Sequence, residues 1–314
     1  MIIDIIILLF SFILLYYGAN WLVDGASSIA IALKLSKVFV GIVLVAFGTS
    51  APELFVNLIA AYHGHTGFAL SNISGSNLAN LCIGFGICAF FGNLIVDRSK
   101  FWLDLIYFSL SPLLILLLIV IVPGHYIPSW SAIFFCVLFL TYLMSAKQRL
   151  REEEPKLHVI YKGSLYKDIS IFLVGITFLY LGGRLVLHSV MGIGQFLGVP
   201  DTILGFSIVA LGTSLPDIMA SIIAIRKNEI SIAVGNILGS NIFNILLVIG
   251  GTLIVSRGNL KSDHSILMDY SFVFIISSLF ACIAYCRGKI GRLYGLTLLV
   301  VYFAYMFIKI FSLN

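Results

Sequence analysis

The stretch that decides the fold reads GIVLVAFGTSAPELFVNLIAA at residues 41–61 and SNISGSNLANLCIGFG at residues 71–86. A second copy spans residues 205–250 without a gap, reading GFSIVALGTSLPDIMASIIAI and then GNILGSNIFNILLVIG. The copies share a GTS-x-P motif and a GSN-x-x-N motif, and Glu53 of the first aligns with Asp217 of the second. A carboxylate directly after a proline, in an apolar segment and in two copies, is not the pattern of an ordinary apolar helix.

Composition places nearly the whole chain in a membrane. The chain is 60% hydrophobic and 11% charged, with a mean hydropathy of +1.09, whereas soluble domains average about 45–50% apolar and about 25% charged residues. A helix needs roughly 20 apolar residues to cross a bilayer. Ten such segments are predicted, at residues 2–22, 38–61, 67–90, 102–122, 128–145, 168–188, 202–225, 230–255, 267–286 and 292–311.

The distribution of basic residues predicts which side of the membrane each connection faces. With the N-terminus outside and ten spans, most of the 19 Lys and Arg residues fall in inner connections, as the positive-inside rule requires. The longest polar segment, residues 146–167, is then a cytoplasmic linker. The first segment has no basic flank and is expected to be a retained span rather than a signal peptide. We expect a multi-pass protein of the cell membrane, whose basic charge reflects topology and predicts no nucleic-acid partner.

The repeat divides the chain into two halves of five spans each. Residues 1–145 carry the first motif, within 41–86, and residues 168–314 carry the second, within 205–250. Because five is odd, the halves enter the membrane with opposite orientation, and inverted repeats of this kind place a substrate site at the midplane. The sequence therefore predicts an all-α polytopic membrane protein of ten transmembrane helices in two inverted five-helix repeats, with broken helices 2, 3, 7 and 8 at its core.

Proline and glycine within the second and third spans predict the breaks. Pro52 removes one backbone hydrogen bond, and Gly75-Ser76-Asn77 predicts a break at mid-depth of the third span. Backbone freed at membrane depth must be buried in protein or line a wet cavity. Freed carbonyls, Thr and Ser hydroxyls and the Glu53 carboxylate form the all-oxygen set that calcium or sodium requires. For one copy alone the alternative is a proline kink with a structurally paired carboxylate, but two copies at a fixed spacing favour a cation site.

Glu53 and Asp217 together bring two negative charges to the interface between the halves. Intramembrane carboxylates are costly and point to function. A dry site cannot keep both ionised unless cations or protons neutralise them, so the site must always be filled. Two charges match one divalent cation. Asp104 and Asp269, by contrast, lie near the ends of spans and are expected to be interfacial.

The paired motifs resemble the alpha-repeats of the cation/calcium antiporter superfamily. GTSAPE at 48–53 with GSNLAN at 75–80, and GTSLPD at 212–217 with GSNIFN at 239–244, look most like those of prokaryotic sodium/calcium exchangers. The resemblance covers essentially the whole chain. It implies alternating access at a midplane site, with sodium and calcium as transported substrates and no organic cofactor. It also implies a monomeric transport unit in the lipid bilayer that is not an enzyme.

Carried onto this sequence, the resemblance implies a cluster of cation sites around the two carboxylates. The calcium site would use the carboxylates of Glu53 and Asp217 and the main-chain oxygens of Thr49 and Thr213. The neighbouring sites would add neutral oxygens from both copies: the Ala46 carbonyl, Ser50 and Ser76 on the inner side, the Ala210 carbonyl, Ser214 and Ser240 on the outer side, and Asn80 and Asn244 in the middle.

Three positions depart from the pattern of some relatives and bear on the coupling ion. Asp217 is one methylene shorter than the glutamate that some relatives carry. Asn244 lacks the carboxylate of potassium-dependent relatives, and Asn80 and Asn244 replace the glutamates of proton-coupled ones, which favours sodium. The alternative is a proton-coupled or other divalent-cation antiporter of the same fold. From a different class, a channel, a sensor or a membrane enzyme using the carboxylate pair is also considered, but no nucleophile, nucleotide motif or cofactor motif accompanies the pair.

Overall fold

The computed structural model describes residues 2–92, 94–148, 161, 163–197, 209–256 and 258–312. Within these ranges ten helices are long and apolar enough to cross a membrane. We number them α1 to α10 in chain order: Ile2–Ala32, Lys37–Tyr62, Thr66–Phe91, Arg98–Ile121, Ser129–Lys147, Leu165–Phe196, Val209–Arg226, Ile230–Val255, His264–Arg287 and Arg292–Lys309. The predicted number of spans is confirmed. Most of the predicted linker, residues 146–167, lies outside the described residues.

Helices α1 and α6 extend well beyond their predicted ends and pair with each other through glycines. Gly18 and Gly25 of α1 lie so close to α6 that a Cβ atom on either would be 2.8 Å from a backbone nitrogen of α6. A Cβ atom on Gly175 of α6 would lie 2.5 Å from the backbone nitrogen of Leu22. Small residues that let backbones approach closely are a common basis of helix association in membranes.

Helices α2, α3 and α8 each contain a π-helical segment, at Val40–Val45, Asn80–Gly84 and Asn244–Ile249 respectively. A π-helical turn keeps the backbone hydrogen-bonded within the helix, as apolar surroundings demand, and such turns are frequent at functional sites. These three helices are therefore interrupted by widened turns, whereas α7, which was also predicted to be broken, is continuous α-helix over Val209–Arg226. Helix α2 runs on through Pro52 without a break.

The predicted break at residues 75–77 is wrong, because Thr66–Ala79 is regular α-helix. Gly75 is instead a point of close packing, since a Cβ atom there would lie 2.6 Å from the Cβ of Ala210 in α7. The second copy repeats this contact, because a Cβ atom on Gly239 of α8 would lie 2.8 Å from an alanine Cβ of α2. The repeated glycines therefore bring α3 onto α7 and α8 onto α2.

Two short antiparallel strand pairs mark the opposite ends of the bundle. Strand β1 (Leu94–Ile95) pairs with β4 (Lys289–Ile290) at one end, and β2 (Tyr126–Ile127) pairs with β3 (Leu260–Lys261) at the other. We call the first end the basic face, since its connections carry most of the basic residues, and the second end the opposite face. Each pair joins a connection of one half to a connection of the other, as expected for inverted halves.

The prediction that Asp104 and Asp269 are interfacial is wrong, since both are buried between helices. The Tyr142 hydroxyl of α5 donates to Asp104 of α4 at 2.9 Å. In the second half, Tyr305 and Lys309 of α10 both donate to Asp269 of α9. Each carboxylate therefore has a partner on the helix that follows its own. Such partners are what a buried acid requires.

Candidate cation-binding site

The two carboxylates of the repeated motifs lie within the group formed by α2, α3, α7 and α8. Glu53 and Asp217 are each 0% exposed. The other residues of the predicted set are buried on the same four helices: Ala46, Thr49, Ser50, Ser76, Asn80, Ala210, Thr213, Ser214, Ser240 and Asn244. The fold therefore gathers the whole predicted set in the interior of the bundle, but Ser76, which was predicted on the inner side with Ala46 and Ser50, contacts Ala210, Thr213 and Ser214 of the predicted outer side.

Two hydrogen bonds fix the Asp217 carboxylate. The Asn80 amide of α3 donates to its Oδ2 at 2.6 Å, and the Ser240 hydroxyl of α8 donates to its Oδ1 at 2.9 Å. Hydrogen bonds to an ionised acceptor are stronger than those between neutral groups. Asp217 therefore has a donor on each oxygen and joins α7 to both α3 and α8.

Glu53, the equivalent carboxylate of α2, lacks such donors. Neither of its oxygens accepts a hydrogen bond from a described residue. The residues at the equivalent positions bond elsewhere: the Ser76 hydroxyl lies 3.2 Å from that of Thr213, and the Asn244 amide donates to Asn77 Oδ1 at 3.1 Å. The two copies of the motif therefore match in sequence and differ in hydrogen bonding.

Five buried side-chain oxygens of the predicted set have no hydrogen-bond partner among the described residues. They are the Oγ of Ser50, both carboxylate oxygens of Glu53, and the Oδ1 atoms of Asn80 and Asn244. A buried polar atom without a partner is costly, and in a native protein each one requires an explanation. Because calcium and sodium are hard cations that bind oxygen ligands, these atoms match their chemistry.

Hydroxyls of both copies donate to backbone carbonyls next to the carboxylates. Thr213 and Ser214 donate to the Ala210 carbonyl at 3.2 and 3.0 Å, and the Thr49 hydroxyl lies 2.8 Å from the Val45 carbonyl and 3.3 Å from the Ala46 carbonyl. A hydroxyl that gives its hydrogen to a carbonyl keeps its lone pairs for another ligand. The hydroxyls are therefore oriented as acceptors for a cation.

The ligand types in this region favour calcium or sodium over a transition metal. Among the described residues, no group of three or more His, Cys, Asp or Glu side chains could hold a metal ion. A cation beside Glu53 and Asp217 would complete its shell with hydroxyl, amide and carbonyl oxygens. Zinc prefers nitrogen and sulfur ligands, whereas neutral and anionic oxygens suit calcium.

Sequence reasoning missed a second layer of amides next to the site. The Oδ1 of Asn236 in α8 lies 3.0 Å from the Thr49 hydroxyl, and its Nδ2 donates to the main-chain oxygen of Asp217 at 2.9 Å. Asn72 occupies the equivalent position of the first copy. The signal was the identity of these two asparagines in the repeat, but without contacts it gave no indication of their role.

The chain matches a family model described as "Sodium/calcium exchanger protein" over residues 3–146 and 167–311. The protein CaxA of Alkalimonas amylolytica is 32% identical over 98% of this chain and 99% of its own length. The sodium/calcium exchanger MaX1 of Methanosarcina acetivorans is 26% identical over 79% of this chain and 82% of its own length. A solved structure of the sodium-calcium exchanger NCX_Mj aligns with a TM-score of 0.83 and 27% identity, covering 100% of this chain and 99% of that one.

We predict that Ser240→Ala destabilises the protein more than Ser50→Ala does. Loss of the Ser240 hydroxyl leaves one oxygen of buried Asp217 without its donor, which costs about 1–3 kcal/mol, whereas the Ser50 hydroxyl has no hydrogen bond to lose. The measurement is thermal unfolding of both variants in detergent, with choline replacing sodium and a calcium chelator present. Equal melting temperatures would contradict the stabilising contact between Ser240 and Asp217.

Proposed function

We propose that this chain, which belongs to the sodium/calcium exchanger protein family, exchanges sodium for calcium across the membrane by alternating access. The family is one of exchangers, which are transporters and not enzymes, and membership in it supports a membrane antiporter of cations and calcium. The observation that supports the specific exchange is the set of buried, unpartnered oxygens at Glu53, Ser50, Asn80 and Asn244, beside the second carboxylate of Asp217.

The charge of the site explains why transport would be an exchange. One calcium ion or two sodium ions would neutralise Glu53 and Asp217. Without a cation, two carboxylates would remain uncompensated in an apolar interior, which is strongly unfavourable. The protein would therefore change the side to which the site opens only while the site is loaded. Release of one ion species on a given side then requires binding of the other.

The proposed ligands divide between the carboxylates and the neutral oxygens around them. Calcium would bind the carboxylates of Glu53 and Asp217 and the main-chain oxygens of Thr49 and Thr213, with Glu53 as the closer carboxylate because its oxygens have no other partner. The proposed sodium ligands come from the neutral set: the Ala46 and Ala210 carbonyls, Ser50, Ser76, Ser214, Ser240, Asn80 and Asn244.

Sodium is the proposed coupling ion because the side chains that flank the carboxylates are amides. Asn80 and Asn244 are fully buried, and each presents an unpartnered amide oxygen. An amide oxygen binds a cation but does not take up and release a proton near neutral pH as a carboxylate does. The flanking positions therefore suit a metal cation better than a proton.

The proposed setting is the cell membrane, with the basic face in the cytoplasm. The excess of Lys and Arg in the connections of that face supports this orientation. A single chain is the proposed transport unit, since helices of one chain supply both carboxylates and all of the neutral ligands.

We expect purified protein in proteoliposomes to accumulate calcium-45 when an outward sodium gradient is imposed, and to be indifferent to potassium. Glu53→Gln and Asp217→Asn should each abolish uptake, because each removes one of the two charges that hold the divalent ion. Ser111→Ala is the matched control, since it removes a buried α4 hydroxyl that is not part of the site, and it should retain uptake.

Three outcomes of this experiment would contradict the proposal. Full calcium uptake by either neutralised variant would exclude the carboxylate pair as the site. Undiminished uptake driven by a proton gradient in the absence of sodium would show a proton-coupled antiporter. Calcium flux with no opposing cation would show a channel.

Shortening Glu53 should impair exchange more than lengthening Asp217. Glu53→Asp withdraws the carboxylate by about 1.5 Å, and calcium–oxygen distances must fall near about 2.3–2.6 Å. Asp217→Glu keeps the charge and changes only the reach, so exchange should persist with an altered calcium affinity. Calcium-45 exchange of both single variants is the measurement. Equal losses, or a greater loss for Asp217→Glu, would show that the reach of Glu53 does not determine binding.

A further inference from the structure

Asn236 ties three helices together on the side of the site nearer the basic face. The Thr49 hydroxyl of α2 lies 3.0 Å from the Asn236 Oδ1 and 2.8 Å from the Val45 carbonyl of its own helix. The Asn236 Nδ2 donates to the main-chain oxygen of Asp217 and to the Ser221 hydroxyl of α7, both at 2.9 Å. Through this one amide on α8, the basic-face parts of α2 and α7 are fastened to each other.

Asn72 occupies the equivalent position in α3, on the side of the site nearer the opposite face. It is 4% exposed, and neither its Nδ2 nor its Oδ1 has a hydrogen-bond partner among the described residues. Asn236 contacts Thr49, the main-chain oxygen of Asp217, and Ser221. In the alignment of the two copies, the equivalent groups around Asn72 are Thr213, the main-chain oxygen of Glu53, and Asn57. None of these three contacts is formed.

The three groups that Asn72 would contact either form hydrogen bonds within their own helix or have a polar atom without a partner. Thr213 donates to the Ala210 carbonyl at 3.2 Å, and the Glu53 carbonyl accepts from the Asn57 amide of the same helix at 2.7 Å. The Asn57 Oδ1 has no partner, like both polar atoms of Asn72. A buried amide without partners is strongly unfavourable in an apolar span, so an arrangement that pairs these atoms would be favoured.

We propose that Asn236 and Asn72 are positioning residues that act as alternating latches on the two sides of the site. The contacts of Asn236 keep the site closed toward the basic face. When the opposite face closes, Asn72 makes the equivalent contacts with Thr213, the Glu53 carbonyl and Asn57, and Asn236 releases its own. Since the halves are inverted repeats, one state becomes the other when the halves exchange roles. The proposal rests on the proposed function, because it assumes one site that opens to each side in turn.

The proposal predicts opposite effects for Asn236→Ala and Asn72→Ala. Asn236→Ala weakens the state that opens toward the opposite face, so calcium KM should rise at the opposite face and fall at the basic face. Asn72→Ala weakens the state that opens toward the basic face, so calcium KM should rise at the basic face and fall at the opposite face. The ratio of the two KM values should change by at least about fivefold in each variant, the effect of losing one ordinary hydrogen bond.

The measurement is sodium-driven calcium-45 exchange in membrane vesicles of each orientation. Ser111→Ala is the matched control, because its hydroxyl is also buried without a partner but belongs to α4 and not to the site. It should leave the KM ratio unchanged. A rise of KM on both faces in both asparagine variants would indicate direct cation ligands, and a loss of kcat with an unchanged KM ratio would indicate a merely structural role. Either result would overturn the proposal.

Hydrogen exchange monitored by mass spectrometry tests the latches without relying on transport. Asn236→Ala should raise deuterium uptake in residues 37–49 and 221–230, near the basic face, and lower it in residues 57–72, near the opposite face. Asn72→Ala should have the reverse effect. If the wild-type protein shows no sodium-coupled calcium flux, the proposed function fails while this test still decides the latches. Changes in the same direction for both variants, or no change, would refute them.

Discussion

Two carboxylates buried in an apolar bundle impose the constraint on which the rest of the structure depends. Glu53 and Asp217 lie where no solvent reaches them, and each must be balanced by hydrogen bonds or by cations. Asp217 has two donors, whereas Glu53 has none among the described residues. The surrounding helices supply neutral side-chain oxygens, several of which have no hydrogen-bond partner among the described residues and are able to bind a cation.

Internal symmetry explains how one site can serve both sides of a membrane. Each half supplies the same motif, and the close contacts made by Gly75 and Gly239 recur with the halves exchanged. The hydrogen bonds do not follow this symmetry, because Asn236 is fully bonded and Asn72 is not. Alternation between two conformations requires that two halves of equivalent sequence adopt different conformations at any one moment, and the unequal hydrogen bonds meet this requirement.

Much of the fold and of the candidate site could be predicted from the sequence, because apolar length and an ungapped repeat are local signals. Features that depend on a distant partner could not be predicted. Gly75 was expected to break a helix, but it instead allows α3 to pack closely against Ala210 in the other half of the chain. Asp269 was expected to be interfacial, but Lys309 and Tyr305 bury it. The roles of Asn72 and Asn236 likewise depend on contacts that a sequence pattern does not contain.

The central claim is that both carboxylates hold one divalent cation between the halves. The most direct test is a crystal of the protein grown with strontium, a calcium substitute whose anomalous scattering locates it without reference to the protein density. The account predicts one strontium peak within coordination distance of oxygens of both Glu53 and Asp217. A peak bonded to only one of them, or a strontium ion bound instead at Asp104 or Asp269, would contradict the account.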